Sequence, residues 1–160
     1  WPLWGGRGLR RGGASVVDLR RLKVILLDTS SCIYFLDGTP GDARHNAVAT
    51  IMRAAERKKI TIVISPITVS ELLVKPLSEQ DTESETAVRL LLDVLCDVRP
   101  ITDVTASVAA GLRARHALRT PDAFILAAAI EHSVDAVIGN DERWKRLTEV
   151  NYRHLDDEVR

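Results

Sequence analysis

Four acidic residues sit where an α/β chain has little structural use for them: Asp28 in LLDTSSC, Glu71 in TVSELL, Asp122 in RTPDAFILAAA and Asp141 in VIGNDERW. Each lies near the end of an apolar run or the start of a helix-like segment, which in an open α/β sheet is the rim where ligands bind. Carboxylates gathered on one rim would form a hard, oxygen-rich site suited to Mg²⁺ or Mn²⁺. Two carboxylates ~4 Å apart at an effective dielectric of ~20 repel by roughly 4 kcal/mol, so a cluster of ionised acids needs a compensating cation. A divalent metal meets that need, and so does an inserted Arg or Lys. The chemistry this points to is metal-assisted cleavage of a phosphodiester.

Each acid also has a purely structural reading. Asp28 and Asp141 could cap the helices that follow them, although Thr29, Ser30 and Ser31 could cap as well as Asp28. Thr68-x-x-Glu71 matches a capping box. Asp122 complements a helix dipole, yet its helix is apolar on almost every face, and a buried carboxylate must be paired, hydrogen-bonded or metal-bound. Ser30 offers a hydroxyl to Asp141 or to a metal-bound water, and Asn140 could orient a carboxylate. Arg113, Arg115, Arg119, Arg143, Lys145 and Arg146 lie near two of the acids in sequence and could hold flanking phosphates. The four histidines, His45, His116, His132 and His154, have no metal-pair spacing and are assigned no chemistry.

The elements that must position these residues alternate strand and helix. KVILL (23–27) and TIVIS (61–65) are continuous apolar runs of the kind buried in parallel sheets, and DAVIG (135–139) is a third. Between them the pattern predicts helices over 31–37, 43–59, 68–74, 86–95, 103–118 and 121–130, with Pro76 closing the third and Thr120 capping the last. A brief strand is expected at 98–101, a short helix over 142–148 and an edge strand over 151–155. The fold class is therefore α/β, one domain with a twisted parallel sheet flanked by helices.

The chain of 160 residues carries 22 basic and 22 acidic groups, and 46% of it is hydrophobic, enough for one core without staples. Charge is uneven: residues 1–22 hold Arg7, Arg10, Arg11, Arg20 and Arg21 against Asp18 alone, leaving the remainder net acidic. Any polyanion must be held by local cations or through metal. Residues 1–22 are rich in Gly and Arg without period and read as a flexible basic arm, either a leader without a role or a segment that touches nucleic acid through Trp1 and Trp4. The first residue is Trp, so the natural start is expected elsewhere. Cys32 and Cys96 read as buried free thiols of a reducing compartment, and neither a membrane span nor a secretory signal is evident. The expected location is the cytoplasm.

With these residues in place the chain resembles the PIN-domain family, and within it the ribonuclease toxins of VapBC-type toxin–antitoxin systems. The motifs LLDTSSCIYFL, SPITVSELL, LRTPDAFILAAAIEH and AVIGNDERW carry the likeness in that order, over residues 23–156. It implies a PIN-like nuclease domain, a Mg²⁺ or Mn²⁺ site at Asp28, Glu71, Asp122 and Asp141, a hydroxyl role for Ser30, and endonucleolytic cleavage of RNA by metal-activated water. Implied partners are the RNA, a cognate antitoxin and a second copy of the chain, with no membrane. The antitoxin would lay an amphipathic segment near 31–36 and 43–59 and insert an Arg at the acids. The chain departs from the family at Arg143, where many members carry a further acid, and at Gly139, where a hydroxyl residue is common.

A haloacid-dehalogenase-like phosphatase would want a second Asp two residues after Asp28, where Ser30 stands. A receiver domain would want acids before Asp28 and a late Lys. The non-enzymatic alternative is an inactive PIN-like module that binds RNA or protein.

Overall fold

The computed structural model describes residues 17–158. Five parallel strands form one sheet: β1 (Val24–Leu27), β2 (Thr61–Ile64), β3 (Cys96–Val98), β4 (Ala136–Gly139) and β5 (Tyr152–His154), in the order β3-β2-β1-β4-β5. The helices are α1 (Thr29–Leu36), α2 (Ala43–Glu56), α3 (Pro66–Glu79), α4 (Thr82–Leu95), α5 (Asp103–His116), α6 (Thr120–Glu131) and α7 (Leu155–Glu158), with a 3-10 turn over Glu142–Arg146. Because all strands run one way, every segment leaving a strand emerges at the same edge. The expected α/β fold with a parallel sheet is the one found.

The central strand explains the two-sided core. Ile25, Leu26 and Leu27 have no exposed surface, and because side chains alternate across a sheet they serve two different layers. Ile25 and Leu27 pack with Cys32, Ile51, Leu72 and Leu91, while Leu26 packs with Leu112, Leu126, Val137 and Trp144 on the other side. Fully burying each such side chain stabilises the fold by roughly 1.5–3 kcal/mol. α6 is sheathed on nearly all sides, with Ala123, Ala127, Ala128 and Ala129 almost wholly buried, so its small residues let neighbouring elements approach closely.

Several boundaries differ from those read in the sequence. α3 starts at Pro66 under a Ser65 cap, two residues earlier than Thr68, and runs through Pro76 to a left-handed Gln80. Pro76 is buried there, so its packing offsets the backbone hydrogen bond that its ring nitrogen cannot make. α4 begins at Thr82 because Asp81 accepts from the amides of Glu83 and Ser84. α6 is entered through Arg119 rather than Thr120, and Arg119 provides no side-chain cap. α2 and α5 end short of their expected limits, and β3 lies two residues earlier than VRPI.

The packed domain also begins earlier than Lys23, since Val17 and Leu22 are buried in the core. The remainder of the expected basic arm, residues 1–16 with Trp1 and Trp4, lies outside the described residues. Cys32 is buried and Cys96 partly so, and both are free. Burial pushes both thiols up, Cys96 to about 12, so neither is a ready nucleophile. No helix among the described residues is long and apolar enough to cross a membrane.

Candidate active site

Asp28 leaves the carboxyl end of β1, the middle strand. Its amide donates to the Ile138 carbonyl at 2.9 Å, tying the exits of β1 and β4 together. It occupies the cap position of α1, but its carboxylate makes no well-formed capping hydrogen bond, although the Thr29 and Ser30 amides lie near enough to favour its ionised form. Instead the Ser30 hydroxyl donates to Asp28 Oδ2 at 2.8 Å. Burial nevertheless raises the carboxyl above the usual aspartate range, and nearby Glu71 adds to the rise. Among the described residues no cation pairs with this carboxylate.

Glu71 lies in the second turn of α3, which leaves β2 at the same edge. The capping-box reading fails, because Ser65 is the cap and Thr68 is buried inside the helix. Glu71 Oε2 accepts the hydroxyl of Thr29, which fixes it beside the residue following Asp28. Sequence spacing hid this link, since the partners are 42 positions apart.

Asp122 and Asp141 form the other half of the site. Asp122 is 7% exposed in the first turn of α6 and accepts Arg119 Nε at 3.0 Å and Nη2 at 3.1 Å. Asp141 follows β4 and caps the 3-10 turn by accepting the Arg143 amide at 2.9 Å. Its carboxylate is also gripped by the Arg143 guanidinium, Nε lying 2.9 Å from Oδ1 and 3.1 Å from Oδ2. Arg143 Nη2 reaches to 3.6 Å from Asp122 Oδ2, so one cation spans both acids. That guanidinium holds Asp141 below the usual carboxylate range.

Gly139 and Tyr152 join the two halves. A Cβ at Gly139 would stand 3.0 Å from Asp28 Cβ and 3.3 Å from the Tyr152 hydroxyl, tighter than ordinary packing allows. The phenol accepts the Asp141 amide at 2.8 Å, and burial, together with the charges of Asp28 and Asp141, raises its pKa. Tyr152 was not singled out in the sequence. Its only signal was a place on an edge strand, which says nothing about where the hydroxyl reaches.

The four acids thus stand at the carboxyl edge as two linked pairs, Asp28 with Glu71 and Asp122 with Asp141. Among the described residues, no group of three or more His, Cys, Asp and Glu lies together as a ready-made metal centre. The compensating cations are Arg119 and Arg143, from the chain itself. Donor chemistry still fits a hard divalent ion: the acids offer only oxygen, Asp28 has no counter-ion among the described residues, and the Arg119 and Arg143 side chains are at least half exposed.

Other expected contacts resolve differently. Ser30 bonds Asp28 rather than Asp141, and Asn140 Nδ2 donates to the Tyr34 hydroxyl rather than to a carboxylate. Arg115 and His116 pair with Glu149, and Lys145 pairs with Glu142 and Asp157. Of the six cations considered for phosphate, Arg119 and Arg143 are the two in contact with the acids.

Comparison with known proteins agrees with this fold. The PIN domain profile matches residues 25–150. No curated protein matches in sequence. The solved structure of VapBC2 from Rickettsia felis bound to a DNA fragment from their promoter superposes with a TM-score of 0.68 at 16% identity, covering 82% of this chain and 98% of that one. FitAcB from Neisseria gonorrhoeae gives 0.63 at 22% identity, covering 82% and 97%. The VapC20 toxin of Mycobacterium tuberculosis, described as cleaving the sarcin-ricin loop, gives 0.59 at 20% identity, covering 79% and 98%. At these identities the shared property is the fold. With the profile spanning most of the chain and the acids at the carboxyl edge of its sheet, the protein belongs to the PIN domain family.

Proposed function

We propose that the chain is a divalent-metal-dependent endoribonuclease, the toxin of a toxin–antitoxin pair. The observation that carries this reading is the half-buried Asp28 at the end of the central strand, without an ion pair among the described residues and joined through Gly139 and Tyr152 to Asp141. Asp28, Glu71, Asp122 and Asp141 would hold Mg²⁺ or Mn²⁺. Bound there, the ion would supply a water of lowered pKa and positive charge for the phosphorane oxygens.

The protein's own groups set the stage for that chemistry. Ser30 fixes one oxygen of Asp28, Thr29 fixes Glu71, and Tyr152 fixes the backbone that carries Asp141. Arg119 and Arg143 keep the acid pair neutral at rest, and once released they present two planar forks to phosphates flanking the scissile bond. The similar proteins named as toxins or toxin–antitoxin complexes support an antitoxin partner, and a second copy of the chain completes the assembly proposed. A concave surface with Ile33, Leu36, Leu72, Pro76 and Val88 on its floor and Asp37, Glu71, Lys75, Glu79 and Asp81 around them lies between α1, α3 and α4. It is a second groove that an antitoxin segment could occupy, beside the α1 and α2 surface read from the sequence.

Purified protein should cleave RNA with Mg²⁺ or Mn²⁺, stop with chelator, and lose at least about a hundredfold in rate in Asp28→Asn or Asp122→Asn. Asn variants that cleave at the wild-type rate would assign the activity to another site or a contaminant. One observation favours the alternative, an inactive PIN-like RNA- or protein-binding module: Arg143 already bridges Asp141 and Asp122. Intact RNA at saturating Mn²⁺, with RNA still bound, would establish that second reading.

A further inference from the structure

At the opposite edge of the sheet lies a groove of about 780 Å³ whose polar rim is mostly cationic. Arg20 and Lys23 line it from the segment entering β1, and Arg53, Arg57, Lys58 and Lys59 line it from α2 and the turn into β2. Its floor is apolar, formed by Val17, Leu22 and Ile60. The single acid on its walls, Asp18, is already held by Arg20. Asp135, which accepts the Lys23 and Val24 amides, is the other carboxylate facing Lys23.

Basic residues at a helix end have a structural use, complementing the dipole and capping carbonyls. That use does not explain this groove. The last carbonyls of α2 are met by backbone, with the amides of Arg57, Lys58 and Lys59 donating to Arg53, Ala55 and Ala54. Arg53, Arg57, Lys58 and Lys59 are exposed and, among the described residues, enter no ion pair. Lys23 and Arg20 belong to a different segment altogether. A set of like charges this close is unfavourable unless an anion neutralises it.

We infer that this groove is a second RNA-binding surface, one that grips the phosphate backbone of the substrate at a distance from the acids. The inference rests on the ribonuclease reading for its choice of polyanion. Lys23 and Asp28 bracket β1, so groove and acids stand about 16 Å apart at ~3.3 Å per residue. At a stacked rise of ~3.4 Å per nucleotide, only a substrate at least about five nucleotides longer than the cleavage site can engage both. The groove has no aromatic lining, so its grip is on phosphate and indifferent to base sequence. A net-neutral protein would thereby hold a polyanion through one local concentration of charge.

The test compares single-stranded RNA of about 30 nucleotides with RNA of about four, by fluorescence anisotropy in chelator, so that binding is read without cleavage. R57E/K59E should weaken the long RNA about tenfold or more and flatten its salt dependence by roughly 0.7 per lost phosphate contact, with a smaller loss for the short RNA, which offers fewer phosphates. R57Q/K59Q should lose less in the same direction, with both variants melting like wild type. Unchanged affinity and salt slope for the long RNA would overturn the proposal. So would an acidic polyglutamate peptide that binds as tightly as the long RNA, since the groove would then read charge alone. If the long RNA binds through the groove but nothing is cleaved with metal, the groove stands and the ribonuclease reading falls. If short RNA is cleaved and charge reversal is silent, the reverse holds.

Discussion

At the scale of single residues the site is a problem of charge balance, and each acid solves it differently. Asp28 has hydroxyl and amide neighbours but no cation, and its raised pKa has a thermodynamic sign. A carboxyl whose folded pKa exceeds its unfolded value gains stability below the unfolded pKa and loses it as pH rises through the folded one. Ionised Asp28 therefore opposes folding near neutral pH. Asp28→Asn should melt at a higher temperature than wild type in metal-free buffer, while activity disappears. A variant melting lower would show the Ser30 and amide contacts to outweigh the burial. Asp141 has the opposite environment. Because Arg143 holds it and is half exposed, removing the guanidinium as Arg143→Ala should tighten Mn²⁺ binding by up to about fivefold, the range of an exposed pair worth roughly 0.2–1 kcal/mol. Titration of Mn²⁺ followed by its electron spin resonance signal reads this without any turnover.

At the scale of elements, short connections place these groups. β1 and β4 leave the sheet side by side, and Gly139 lets them do so with the Asp28 side chain lying between. Gly139→Ala forces a methyl to 3.0 Å from Asp28 Cβ, where the neighbour is main-chain-anchored and gives little. The expected cost is about 1–3 kcal/mol, with a fall in activity larger than the loss of folded protein explains, read by melting and by kcat at a temperature where both proteins are folded. The 3-10 turn is fixed by Trp144, 1% exposed and edge-on to Tyr152 with ring centroids 5.5 Å apart. Trp144→Ala should cost about 3–5 kcal/mol in chemical denaturation, because it hollows the core beneath the turn bearing Asp141 and Arg143.

At the scale of the molecule, acid stability and cellular effect are the accessible properties. Glu149 ties α5 to the loop before β5 through His116 at 2.8 Å and Arg115 at 3.2 Å, and these contacts hold it down at about 2 against an ordinary 4.5. A lowered folded pKa contributes stability above the unfolded value that is lost as pH falls through the folded one. The melting difference between wild type and Glu149→Gln should therefore be full near neutral pH, shrink below about 4.5 and vanish near about 2. A difference constant with pH would show the pair to be energetically idle. In cells, expression of the chain alone should arrest growth and a cognate antitoxin should relieve it. Normal growth with abundant folded protein would favour the inactive module.

The sequence by itself determined the α/β class and the three apolar strands, and it nominated the acids, because buried parallel strands announce themselves as unbroken apolar runs and a carboxylate at the end of one has few structural duties. It misjudged ends of helices wherever a local signal had a competitor nearby: Ser65 outbid Thr68 as a cap, and packing carried α3 through Pro76. Only the tertiary structure decided who neutralises whom. Arg119 and Arg143 were visible as neighbours in sequence, but their shared hold on Asp122 and Asp141 depends on α6 and the turn after β4 meeting at one edge. Thr29 with Glu71, Tyr152 with Asp141 and the cationic groove beneath β1 likewise join positions far apart in the chain. A one-dimensional pattern fixes which face of an element is buried, whereas pairing of charges across elements is set by the three-dimensional docking of those faces.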